Sequence, residues 1–155
     1  MDLSVLKLSR WIALASGFAL CAECFAADRF AAIVEATGEP TVTKGGYVVN
    51  QKRVAVQAEL SKRPPTSQDL GVRLPPGSAL KLHETAGQIA HYHPIWRVYE
   101  YRLTIPRAEF ISFFEAQGLR FDKSGNLLKF DNAGNDFIDG LSGDPMTGFR
   151  VWRKP

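Results

Sequence analysis

The stretch from residue 95 to residue 130 constrains the fold most, because it contains a complete pattern of strand, helix and hairpin. Its first part alternates between apolar and polar side chains. One side of that alternation carries Ile95, Tyr99, Tyr101, Leu103 and Ile105. Period-two alternation with aromatic and β-branched residues predicts a β-strand that is half-buried under a second layer.

A helix is predicted to follow this strand, beginning at Pro106 and ending near Gln117. Proline suits the first helical position because its φ is already helical and its missing N–H leaves no bond unmade. Gly118 suits the left-handed residue that ends a helix. The helix has one broad apolar face, which we interpret as core, made of Phe110, Ile111, Phe113 and Phe114. Residues 119–122 and 127–131 then flank a turn-rich connection and predict a hairpin.

The rest of the chain predicts an α+β fold, with an antiparallel sheet of about five to seven strands and this one main helix packed on one face. A short helix is favoured over a strand at 28–37. The further predicted elements are a hairpin at 42–49, a strand at 54–60, a hairpin at 80–93 and a last strand at 149–152. Prolines and glycines at 61–78 predict a long surface loop.

The N-terminus has the layout of a secretory signal peptide. Lys7 and Arg10 precede a short apolar run at 11–22, and small residues follow up to Ala26. We therefore expect a Sec-type signal peptide at 1–26 and a single mature domain at 27–155, periplasmic or secreted. A retained membrane anchor is the alternative, but the apolar run is shorter than the roughly 20 residues that a spanning helix needs.

The cysteines and the net charge exclude several classes of function. Cys21 and Cys24 both lie in the segment that we expect to be removed, so the mature chain would have neither disulfides nor cysteine catalysis. The formal charge of +3 is modest and the basic residues are scattered, so nothing indicates a nucleic-acid partner. Motifs of serine hydrolases and of phosphate loops do not occur in the sequence.

The three histidines of the chain cluster in the predicted hairpin. His91 and His93 are two positions apart and would share a face of a strand, and a three-residue turn would bring His83 to the same side. Three imidazoles with an open fourth position would suit zinc or copper. The ordinary interpretation is that these are solvated or partly packed strand residues.

A Gly- and Asp-rich segment follows the central unit. Gly134, Asp136 and Ile138 match the G-x-D-x-aliphatic pattern, so the segment resembles one repeat of the calcium β-roll of repeats-in-toxin proteins. Pro145 stands where a second repeat needs its aspartate. Such rolls need several stacked repeats, so we interpret the segment as a turn-rich loop. Oxygen ligands for one weak calcium ion could still come from Asp131, Asp136, Asp139 and Asp144.

The polar side of the central strand is a third candidate site. Glu100 and Arg102 lie there beside Trp96. Tryptophan and arginine are enriched at protein interfaces, which favours a protein contact, whereas burial of Trp96 under a second layer is the alternative.

These patterns together predict an exported, non-enzymatic binding protein without a cofactor, and with another protein as its partner. An inhibitor or immunity-like role fits the size and the export signal. The rival hypothesis is a metal-binding protein or metal-dependent hydrolase that uses His83, His91 and His93 with zinc or copper. After cleavage of the signal peptide no stable membrane anchor is expected.

Overall fold

The computed structural model describes residues 28–38, 40–43, 45–122, 127–132, 136–141 and 143–155. The helices are α1 (Ala31–Ala36), α2 (Gln51–Lys62), α3 (Ser67–Leu70), α4 (Leu82–Tyr92) and α5 (Arg107–Glu115). The strands are β1 (Thr41–Val42), β2 (Val48–Val49), β3 (Ala79–Leu80), β4 (Arg97–Ile105), β5 (Arg120–Asp122), β6 (Leu127–Asn132), β7 (Asp136–Leu141) and β8 (Met146–Arg153). The prediction of a mixed α+β fold with antiparallel pairing is confirmed.

The described strands form a large sheet and a separate two-stranded ribbon. The large sheet has the order β3-β4-β8-β7-β6-β5, and all of its neighbours pair antiparallel. The ribbon pairs β1 with β2, as the predicted hairpin at 42–49 requires. β4 and β8 are the longest strands and lie side by side, so the centre of the large sheet is built from residues about fifty positions apart in the chain.

The predicted strand, helix and hairpin unit is present as β4, α5 and the β5–β6 pair. Pro106 immediately precedes α5, and Gly118 has a φ of +82°, which a residue without a Cβ adopts at little cost. Phe110 and Phe114 are fully buried, as their interpretation as core requires. Ile95, expected on the covered side of the strand, instead precedes β4 and is 67% exposed.

The prediction of one main helix is wrong, because α2 and α4 replace a strand and a hairpin. In α2 the apparent alternation of Val54, Val56, Ala58 and Leu60 contains a helical pair, since Val56 and Leu60 are fully buried and the other two are exposed. The side chain of Asn50 accepts a hydrogen bond from the backbone N–H of Arg53, which caps the helix. In α4 the buried residues Ala86 and Ile89 are likewise one turn apart.

The segment predicted as a loop at 61–78 also contains helical structure. α2 continues to Lys62, and α3 begins after Thr66, whose side chain and backbone exchange hydrogen bonds with Asp69 in a capping box. These bonds from Thr66 favour the charged carboxylate and lower the pKa of Asp69, although partial burial opposes them. Leu70 is buried against the core, so the segment is anchored in its middle.

The helices cover one face of the large sheet and leave much of the other uncovered. On the covered face, Tyr99 and Tyr101 of β4 and Val151 and Phe149 of β8 face each other across the strands and join the main core. The core is completed from the helices by Phe30, Val34, Val56, Leu60, Leu70, Ala86, Ile89, Phe110 and Phe114. On the opposite side lie Glu100, Arg102, Asp139 and Arg150, and we call this the open face.

The predicted signal peptide at 1–26 lies outside the described residues. Within the described part of the chain, no helix is both long enough and apolar enough to cross a lipid bilayer.

Candidate functional site

A row of charged side chains runs across three strands of the open face. Glu100 of β4 is directly opposite Arg150 of β8, and Arg150 is directly opposite Asp139 of β7. Residues that oppose each other across antiparallel strands have neighbouring side chains, and opposite charges there stabilise the pairing. The row therefore follows from the strand register and from the alternation of each strand.

Asp139 and Arg150 form the buried end of this row. The Nε and Nη2 atoms of Arg150 donate hydrogen bonds of 2.8 and 2.7 Å to the two carboxylate oxygens of Asp139. Asp139 is only 7% exposed, so its charge needs such a partner to replace lost hydration. The guanidinium of Arg150 also lies 5.4 Å from the ring centre of Trp152, which adds a cation–π contact.

Lys81 and Glu100 form the other end of the row. The Lys81 ammonium donates a 2.5 Å hydrogen bond to the Glu100 carboxylate, and the Lys81 backbone N–H donates to the Glu100 carbonyl at 2.8 Å. The hydrogen bond to Glu100 raises the pKa of Lys81. Glu84, 3.7 Å from the Lys81 ammonium, has a lowered pKa because it accepts a hydrogen bond from its own backbone N–H and lies near this cation.

These two ion pairs flank a depression of about 350 Å³. Its wall includes three basic side chains, Lys81, Arg102 and Arg150, and two carboxylates, Glu100 and Asp139, so one positive charge is in excess. Tyr101, Thr147, Gly148 and Phe149 complete the lining. At Gly148 an added Cβ would lie 3.0 Å from the Tyr101 carbonyl oxygen, so the close approach of β8 to β4 favours glycine there.

Arg102 differs from the other cations of the depression. Its side chain is exposed, and no residue in the described ranges forms an ion pair or a side-chain hydrogen bond with it. Lys81 and Arg150, in contrast, each bind a carboxylate. The excess charge of the depression is therefore carried by a guanidinium whose N–H donors bond no other residue in the part of the chain that the structure describes.

An aromatic cluster adjoins the charged row. The rings of Tyr92 and Trp96 contact the Trp152 ring edge to face, at centroid distances of 5.4 and 6.1 Å. Val98, opposite Trp152 in the register, is fully buried. The ammonium of Lys154 lies 5.6 Å from the Trp96 ring centre. This end of the open face thus combines aromatic surface with positive charge.

The structure brings together two of the three predicted contact residues. Glu100 and Arg102 both line the depression, whereas Trp96 is half-buried in the aromatic cluster at the start of β4. Their role in protein binding stays a prediction. Sequence reasoning missed Lys81, Thr147 and Arg150. The alternation around Arg150, between the apolar Phe149 and Val151, was the available signal, but its pairing with β4 cannot be read from the sequence.

The predicted histidine hairpin is wrong, because residues 82–92 form α4. His83 and His91 are eight residues apart on α4, which separates them by about 12 Å along the helix axis, and His93 follows the helix as its C-cap. The three side chains have separate neighbours: Gln57 Oε1 lies 3.3 Å from His83 Nδ1, the Tyr92 ring lies 4.7 Å from the His91 ring, and Asp28 Oδ2 lies 3.5 Å from His93 Nε2. Among the described residues, no group of three His, Cys, Asp or Glu side chains could hold a metal ion.

The predicted turn-rich acidic loop contains a strand. Asp136 and Asp139 lie on β7, which pairs with β6, where Asp131 is located. Asp139 is already bound by Arg150, and Asp144 accepts a 3.2 Å hydrogen bond from the backbone N–H of Arg107. The interpretation of this segment as a turn-rich loop is therefore wrong for residues 136–141, and a weak calcium site at Asp131, Asp136, Asp139 and Asp144 stays a prediction.

A second exposed surface lies on the β1–β2 ribbon. Val42, Tyr47 and Val48 are 66%, 78% and 65% exposed, and Val54 of the following helix is 52% exposed. Apolar side chains grouped on a surface often mark contacts with other molecules. Unlike the open face, this ribbon has no charged or hydrogen-bonding group among these four side chains except the Tyr47 hydroxyl.

Comparison of the chain with protein-family models, with curated proteins and with solved structures gave no match.

Proposed function

We propose that this chain is an exported, non-enzymatic binding protein that contacts another protein through its open face. The observation that carries the proposal is the depression between β4 and β8, which combines two ion pairs with Arg102, a side chain that forms no ion pair with any described residue. An aromatic cluster adjoins the charged row where Arg150 contacts Trp152. Arginine and tryptophan are the residues most enriched among energetically dominant contacts of protein interfaces. The signal-peptide pattern at 1–26 supports export.

The character of the depression favours a protein partner over a small molecule. Sites for small molecules are mostly lined by apolar side chains with a few polar groups. Here most of the lining side chains are charged, and Arg102 and Thr147 are exposed. A charged, accessible surface bordered by aromatic rings is typical of a protein interface with a polar rim. An inhibitor or immunity-like role would use such a surface to cover part of the partner.

The experiment that tests this proposal compares two tryptophan substitutions on opposite faces of the protein. Thr147→Trp adds bulk without charge at the depression, whereas Ser112→Trp adds the same side chain to the exposed side of α5, in the helical layer. The exported protein is immobilised and the retained envelope proteins are quantified. We expect Thr147→Trp to reduce retention of a specific partner roughly tenfold or more, which corresponds to about 1.4 kcal/mol.

Ser112→Trp should retain the partner at the level of the unsubstituted protein. Equal loss in both variants, or loss only in Ser112→Trp, would contradict a contact through the open face. Circular dichroism of both variants confirms that they are folded before the comparison is made.

A further inference from the structure

We infer that the depression on the open face receives an acidic side chain of the partner, whose carboxylate pairs with Arg102. This inference rests on the proposed function and specifies the chemistry of the partner. Its basis is charge complementarity, because two ion pairs at the depression are complete and Arg102 lacks a carboxylate among the described residues.

The charges that line the depression favour an incoming anion over a cation. Each carboxylate already has a cation: Glu100 binds Lys81, and Asp139 binds Arg150 through both oxygens. An incoming cation would find no unpaired carboxylate in the lining, and Arg102 would repel it. An incoming anion, in contrast, can pair with Arg102 without breaking either existing pair.

The single positive charge in excess at the depression matches a carboxylate. The lining carries one positive charge in excess, on a planar guanidinium that can donate two parallel hydrogen bonds. A carboxylate matches both properties, because it carries one negative charge and accepts two such bonds in a plane. A phosphate monoester carries roughly 1.5 to 2 negative charges at pH 7, which exceeds the single positive charge in excess here, so it matches the depression less well than a carboxylate does.

A protein side chain is a better source of this carboxylate than a free carboxylate ion. A single exposed ion pair contributes little binding free energy, so a free carboxylate would bind weakly. A carboxylate on a protein gains additional contacts around the depression, and the cluster of Tyr92, Trp96 and Trp152 adjoins the charged row through the contact of Arg150 with Trp152. We therefore expect the partner to present an Asp or Glu together with an apolar side chain nearby.

The test uses random heptapeptides displayed on phage and selected on the exported protein. Selections are run in parallel on the unsubstituted protein, on Arg102→Gln and on Arg73→Gln. Arg73 is an exposed arginine whose backbone bonds Gln117 beside α5, so it serves as a matched control for the loss of one positive charge. We expect acidic residues to be enriched on the unsubstituted protein and on Arg73→Gln, but not on Arg102→Gln.

A selected peptide is then synthesised with its acid and with the corresponding amide. Replacing the acid by its amide, or Arg102 by Gln, should each weaken binding roughly tenfold, as expected for a charged hydrogen-bonded pair. The two changes together should weaken binding little more than either one alone, because they remove the same interaction.

Several results would overturn the inference. Selection of peptides without acidic residues, absence of any selected peptide, or equal binding of acid and amide would do so. If acid-free peptides bind and Thr147→Trp abolishes that binding, the open face remains a protein-binding surface and only the carboxylate is wrong. If neither Thr147→Trp nor Arg102→Gln affects any selected peptide, the proposed function fails as well. Equally tight binding of acetate would assign the depression to a free carboxylate and also overturn the inference.

Discussion

Arg102 and Arg150 lie near each other on adjacent strands but have opposite roles. Arg150 is held by two hydrogen bonds to Asp139 and by its contact with the Trp152 ring, so its charge is used within the protein. Arg102 lines the same depression and forms no ion pair within the described residues. Since a side chain that is already paired must be released before it can bind, Arg102 is the residue available to a partner.

The buried tyrosines of β4 should make the protein less stable at alkaline pH. Burial raises the pKa of the Tyr99 hydroxyl and, more strongly, that of Tyr101, above the value of 10.0 expected in the unfolded chain. A group whose pKa is raised by folding contributes its full stabilisation below its unfolded pKa and loses it as the pH rises through the folded value. Lys81, whose pKa is raised by Glu100, acts in the same direction.

We therefore predict that the free energy of unfolding falls as the pH rises above about 10. Tyr101→Phe should reduce this fall, because the buried group that must ionise on unfolding is removed. The Tyr101 hydroxyl is also buried and has no hydrogen-bond partner among the described residues, so its removal should raise stability near neutral pH by about 1 kcal/mol. Urea denaturation of both proteins at about pH 8 and about pH 11 measures the effect. An equal pH dependence in both would show that Tyr101 is not responsible.

At the scale of elements, α4 closes the edge of β4 that the short strand β3 leaves unpaired. β3 reaches only Tyr101 and Arg102 of β4. Beyond it, the Thr85 hydroxyl of α4 accepts a 2.9 Å hydrogen bond from the Glu100 N–H and donates one of 3.3 Å to the Glu100 carbonyl. This side-chain bridge satisfies backbone groups at the strand edge. It also fixes the backbone of Glu100 at the depression.

Replacement of Thr85 tests this arrangement. Thr85→Val keeps the shape of the side chain but leaves the Glu100 N–H without its acceptor, while the Glu100 carbonyl still accepts from the Lys81 N–H, so we expect a loss of about 2 kcal/mol in the free energy of unfolding. Thr85→Ser keeps the hydroxyl and loses one methyl group, which should cost about 1 kcal/mol. Urea denaturation measures both variants. A larger loss for the serine variant than for the valine variant would show that packing of the methyl group, and not the hydroxyl bridge, is what matters.

The unit of β4, α5, β5 and β6 could be predicted from the sequence because its signals are local. The alternation of β4 is interrupted by Pro106, and the helix that follows ends near Gly118, so neighbouring residues specify each boundary. α2 was missed because spacing at every second position includes spacing at every fourth, and only burial distinguishes Val56 and Leu60 from Val54 and Ala58.

The candidate site could be predicted only in part, for a different reason. Glu100 and Arg102 follow from the alternation of β4 itself. Arg150 and Asp139 depend on the register of β8 and β7 against β4, and a shift of one residue would move each side chain to the other face. The hairpin that was predicted to bring the histidines together is wrong, because residues 82–92 form the helix α4.

At the scale of the whole molecule, the helical layer builds the hydrophobic core, whereas the open face carries charged residues. α2, α4 and α5 contribute fully buried residues to one core on the covered face of the sheet. The opposite face can therefore carry charged residues without loss of that core. The β1–β2 ribbon is the second exposed surface with contact potential, through Tyr47 and its apolar neighbours. We propose that the partner binds the open face and not the ribbon.

Site-specific photo-crosslinking in the producing organism tests this claim most directly. A photoreactive phenylalanine analogue is placed at Thr147 on the open face, at Ser112 on α5, or at Tyr47 on the ribbon, all three being exposed positions. We predict one adduct of defined mass from position 147 and none from positions 112 and 47. Adding Arg102→Gln to the position 147 variant should lower the yield of that adduct. An adduct from position 112 or 47 in the absence of one from position 147 would contradict the account.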